Sequence, residues 1–194
     1  MDALNLLRIQ AHANALANTR LYTALSGLGS GEFDAPRVGF FPSLQATLNH
    51  VLEVDGYYIS VLHRDPGIDT WWDRFVPAST LAELAVRQRG SDQRLLAWFD
   101  GADADADADA DMASQPVFMP RGGGRVQHDL ACHLLQHLFM HQTHHRGQAH
   151  AMLSGTTVAP PQLDEFLMPS ESHLRSAEMA ALGWHEPRVY GGAP

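Results

Sequence analysis

The chain has a single cysteine, Cys132, among its 194 residues. A lone thiol excludes any internal disulfide and fits a reducing compartment. No apolar run approaches the roughly 20 residues that a membrane-spanning helix needs, so no membrane partner is expected. The opening residues, MDALNLLRIQAHANAL, carry an acid at position 2 and no basic cluster ahead of a long apolar stretch. That pattern predicts no signal peptide and a cytoplasmic protein. A basic surplus is missing as well. The formal net charge is -9, and six of the acids lie in the run DGADADADADAD at 100–111. Without them the remaining charge is -3, close to balance. Nucleic-acid binding runs on Lys and Arg neutralising phosphates, so no nucleic-acid partner is expected.

What the chain does have is apolar content and histidine. Hydrophobic residues make up 45%, enough for a sizeable core, and the length suits one domain spanning 1–194. Helical spacing of apolar residues predicts four long helices, at 2–26, 43–64, 80–99 and 128–153. Ser43 opens the second, and Ser79 or Thr80 with Glu83 forms a capping box for the third. Residues 66–78, with Trp71 and Trp72, show no clear period. The Asp-Ala repeat, within 100–114, surrounds any helix with like charge and reads as a solvated acidic loop. QPVFMPRGGGRVQ at 115–127 reads as two short extended pieces about a Gly-rich turn. Beyond Ser154-Gly155 a C-terminal extension, 155–194, holds a short helix at 171–182. Four long helices with little strand signal predict an all-α four-helix bundle carrying a short hairpin-like segment before its last long helix.

Twelve histidines are present, and seven of them fall between His128 and His150. With Leu130 at zero and about 100° per residue, the apolar arc of the fourth predicted helix covers roughly 40–180°. His141 falls at about 20° and His145 at about 60°, inside or beside that arc, while His133, His137 and His144 fall off it at about 300–340°. His128 falls at its other edge, at about 160°, and His150 past it, at about 200°. Two inward imidazoles at i and i+4 can both reach one metal ion. On the second predicted helix, His50 sits just outside one edge of the apolar arc and Asp55 near its middle. His50 is a feasible third ligand. Asp55 must be paired to avoid a large burial cost, either against a ligand N–H or in a purely structural contact. Cys132 falls at about 200°, away from the histidine pair, which argues against a Cys-His catalytic couple.

HQTHHRGQAHAML at 141–153, preceded by LNHVLEVDGYY at 48–58, resembles the DinB-like (DNA-damage-inducible) family, with HHRGQ at 144–148 the most specific feature. The resemblance implies a four-helix bundle holding a divalent metal through one histidine on the second helix and an H-x-x-x-H pair on the fourth. Carried over residue by residue, the ligands are His50, His141 and His145. It also implies a homodimer, and a metal-dependent enzyme acting on a small-molecule substrate: a transferase dependent on a low-molecular-weight thiol, or a hydrolase. The other class of function is a non-catalytic, stress-associated helical dimer whose metal is structural.

Three neutral nitrogens without a thiolate suit zinc or nickel best. HQTHH differs from the zinc-protease pattern H-E-x-x-H in having Gln142 where the glutamate base would stand, which excludes that chemistry. No catalytic residue is assigned from the sequence; Asp55 is a candidate base by position alone. Arg146 points to the far side of the apolar arc and is expected in a structural ion pair.

Overall fold

The computed structural model describes residues 3–103, 112–164 and 168–190. Those residues are mostly helical, with one two-stranded antiparallel sheet. The elements are α1 (Ala3–Leu25), α2 (Leu44–Leu62), a short α3 (Trp71–Arg74), α4 (Leu81–Asp103), β1 (Pro116–Arg121), β2 (Arg125–Leu130), α5 (Ala131–Leu153), α6 (Ser172–Ala181) and α7 (Glu186–Tyr190). The four long helices contact each other in a closed ring, α1 to α4, α4 to α2, α2 to α5 and α5 to α1.

The helix starts follow local chemistry. Ser43 accepts a hydrogen bond from the Ala46 N–H at 3.1 Å. Thr80 Oγ1 accepts from the Glu83 N–H, and Glu83 Oε2 reaches back to the Ser79 N–H at 3.0 Å, the reciprocal box that satisfies two orphan donors. The start of α5 lacks a side-chain cap. Carbonyls of Ala113 and Gln115 accept from the Cys132 and Ala131 N–H groups instead.

Two boundaries differ from the sequence expectation. The third predicted helix does not stop at 99; α4 runs through Asp100 to Asp103. The first two acids of the run, Asp100 and Asp103, thus stay helical, with alanine between them favouring helix. The remainder of the Asp-Ala repeat, 104–111, lies outside the described residues. The fourth predicted helix begins at 131 rather than 128, because residues 128–130 pair with 116–118 as the end of β2. The hairpin turns at Gly122–Gly124, where Gly123 and Gly124 take φ of 75° and 73°, a region open to glycine at little cost. The short C-terminal helix spans 172–181, and α7 follows it, which sequence periodicity did not predict. Met179 of α6 packs on Ala13, Leu16 and Ala17 of α1, and Arg20 of α1 pairs with Glu178.

The core is split into two apolar halves. One contains Leu7, Tyr57, Phe99, Leu135 and Leu138, and the other Leu21, Leu44, Leu48, Leu84 and Leu153. Between them every long helix contributes buried polar residues: Asn14 and Asn18 from α1, Asp55 from α2, Gln88 and Asp92 from α4, Gln142 and Arg146 from α5. This polar layer lies at the level of the histidine pair on α5.

Candidate metal centre

α2 and α5 pack side by side, and this contact brings His50 to His141 and His145. One ring nitrogen from each of the three lies within 4.8 Å of the other two. The His50 and His141 Nε2 atoms are 3.0 Å apart. Two nitrogens bound to one ion at about 2.0–2.1 Å stand roughly 3.0–3.4 Å apart for ligand angles near 90–110°. The His50–His141 spacing therefore matches a shared cation. His145 is edge-on to both partners, with ring centroids at 4.8 Å from His50 and 4.4 Å from His141.

The orientation of His145 has an identifiable cause. Its Nδ1–H donates to Gln148 Oε1 at 2.8 Å, since an amide oxygen can only accept. That bond leaves the Nε2 lone pair for a ligand. Gln148 is held in turn, donating from Nε2 to His144 Nε2 at 3.0 Å. The Phe41 ring lies over the site at 4.6 Å from His50 and 5.6 Å from His145. Gly39 of its loop packs against Met152 Cε of α5.

Electrostatics favour neutral rings. Burial is the first cause lowering all three histidines; repulsion from His145 adds to it at His50 and from His145 and His50 at His141, while at His145 the bond to Gln148 opposes burial and His144 adds to it. His141 falls to about 3. His141 Nδ1 is buried and has no hydrogen-bond partner among the described residues. Three neutral imidazoles, converging with no carboxylate grouped with them among the described residues, are a nitrogen donor set for a divalent cation.

The other histidines do not join this set. His133 pairs with Asp129 at 2.7 Å, and His150 bonds the Pro161 carbonyl at 3.0 Å. His128 stands edge-on to Phe118 in the hairpin, and exposed His137 stands edge-on to Tyr58.

A model of the DinB family matches residues 7–177. The chain belongs to the DinB family. No curated protein matches it. The name of the DinB family refers to induction by DNA damage and does not itself imply action on nucleic acid. No helix among the described residues is long and apolar enough to cross a membrane.

In this DinB chain, Asp55 contacts none of the three rings among the described residues. It is buried in the polar layer, where its Oδ2 accepts from Gln88 at 2.9 Å and from Gln142. Of its two sequence readings, the structural one has the contacts. Burial pushes its carboxyl well above the usual range. Asp92 accepts from Asn18 at 2.9 Å, and burial raises it to about 7. Arg146 is buried too, but its direct partners are amide oxygens of Asn14, Asn18 and Gln142 rather than carboxylates. The expected ion pair is thus bridged: Gln142 donates to Asp55 and accepts from Arg146, and Asn18 does the same between Asp92 and Arg146. Glutamate at 142 would set a third buried carboxyl against Asp55, so the amide is the residue that fits.

The aromatic residues near the hairpin and Cys132 make packing contacts. Tyr57 donates from its hydroxyl to the Pro120 carbonyl, tying the hairpin to α2, and the Trp72 ring lies tilted against it at 4.7 Å. Trp71 covers Gly56 and donates from Nε1 to the Glu53 carbonyl at 3.1 Å. Cys132 packs at the margin of the first apolar half.

Proposed function

We propose that the protein is a metal-dependent enzyme of the DinB family, built as a four-helix bundle, with His50, His141 and His145 holding one divalent cation. The observation that carries this reading is the convergence of three neutral nitrogens within 4.8 Å, one of them oriented by Gln148. Zinc and nickel suit that donor set. A divalent ion held by these three histidines would supply acidification of a bound water or thiol. The residues do the rest. Gln148 holds the His145 ring, burial keeps the imidazoles unprotonated, and Phe41 shields one side of the site from water. His50 and His141 are only partly buried, which leaves the site reachable from solvent. The reaction classes are transfer dependent on a low-molecular-weight thiol, or hydrolysis, of a small substrate by a cytoplasmic homodimer.

Elemental analysis of tag-free protein tests the reading. One equivalent of metal per chain is expected, lost in His141→Ala. Wild-type protein without metal, or a variant that retains it, refutes the site. Chelation separates catalysis from scaffolding: the catalytic reading expects a protein that stays folded and reloads, and unfolding on chelation assigns the metal a structural role.

A further inference from the structure

A cavity of about 440 Å³ opens between α1 and α5, on a different face of α5 from the histidine site. Its volume falls within the roughly 300–1,000 Å³ of small-molecule sites. Ala13 and Ala17 of α1 line one side, and Leu163 of the segment after α5 lines another. That segment is anchored: the Pro161 carbonyl bonds His150, and the Gln162 carbonyl accepts from Arg20 at 3.1 Å.

Two buried donors line the same cavity. Arg146 is 6% exposed and makes all three of its hydrogen bonds through Nη1. Among the described residues its Nε and Nη2 have no hydrogen-bond partner. Asn14 is 2% exposed, and its Nδ2 is buried without a partner. An unmet buried N–H such as Asn14 Nδ2 is costly, and a guanidinium edge whose Nε and Nη2 are not engaged matches a carboxylate with two parallel bonds. Among the described residues no carboxylate bonds Arg146 directly, and Asp55 and Asp92 act on it only through space. Asp164 also lines the cavity and opposes a second negative charge more than one.

We propose that this cavity is a second ligand site for a small aliphatic monocarboxylate, its carboxylate on Arg146 and Asn14 and its chain against Ala13, Ala17 and Leu163. The site stands apart from the metal reading and survives its failure.

Hexanoate is the probe, titrated into the full-length protein in the presence of chelator. The readouts are calorimetry and the NMR signals of the Asn14 amide and Arg146 Nε–H. Saturable binding that shifts both signals is expected, with hexanol at least tenfold weaker. Removing Arg146 endangers the fold, so Gly147→Leu serves as the blocking variant. Gly147 lines the cavity, and a Cβ there meets nothing within 4 Å. The variant should keep the wild-type melting temperature within a few degrees and bind hexanoate at least tenfold less tightly. His141→Ala should bind it as wild type does. Absent saturation, equal binding of hexanol, unimpaired binding by Gly147→Leu, or binding lost in His141→Ala would each overturn the proposal.

Discussion

Replacing Gln148 by leucine asks how much the orientation of His145 matters to the metal centre. The side chain keeps a similar size but loses the oxygen that accepts from His145 Nδ1–H at 2.8 Å. A hydrogen bond of this kind is worth about 0.5–1.5 kcal/mol net. The released ring adds roughly 0.5 kcal/mol of rotamer entropy to be lost on binding. Together these come to about 1–2 kcal/mol, or about a 5- to 30-fold weaker cation at 1.4 kcal/mol per decade. That agrees with the roughly 10- to 100-fold cost of removing groups that orient metal ligands. Competition with a chromophoric chelator measures the dissociation constant for zinc and for nickel. Gln148→Glu is the matching control. It keeps an acceptor, and a stronger one, while losing the donor to His144. It should bind within about threefold of wild type or more tightly. Unchanged affinity in Gln148→Leu, or equal losses in both variants, would refute the orienting role.

Two further outcomes follow from the interior. Asp92 has a folded-state pKa of about 7 against an ordinary 3.8, so its proton is bound more tightly in the folded chain. Its contribution is complete below about pH 4 and is lost as pH rises through about 7. The stability of wild type relative to Asp92→Asn should therefore fall by on the order of 2 kcal/mol between pH 5 and pH 7 in urea unfolding; a constant difference contradicts the assignment. At Gly56 an added methyl would collide with the Trp71 indole, which costs about 1–3 kcal/mol against a helix-propensity gain of about 1. Gly56→Ala should thus lose up to about 2 kcal/mol and shift tryptophan fluorescence to longer wavelength. An unaltered emission spectrum shows that Trp71 does not depend on this close approach.

Periodicity alone placed His141 and His145 together on one side of one helix, because spacing by a single turn is a local rule that needs no knowledge of neighbours. The same rule, applied at i and i+3, would also have drawn attention to Gln148. The caps at Ser43 and Thr80 and the Gly-rich hairpin turn are local in the same sense, since each is a contact between residues a few positions apart. His50 was different. It sat at the edge of an apolar arc, and only the packing of α2 beside α5 brought its Nε2 to 3.0 Å from that of His141. The polar layer was invisible for a stronger reason. Asn14, Asn18, Gln88 and Gln142 are residue types that usually face water, and nothing along the chain marks them as buried. They become partners for Asp55, Asp92 and Arg146 only when four helices meet at one level. Sequence determined the helices and which faces are apolar, because those depend on spacing along one chain; tertiary structure decided which faces meet, because burial and ligand convergence are properties of several helices at once.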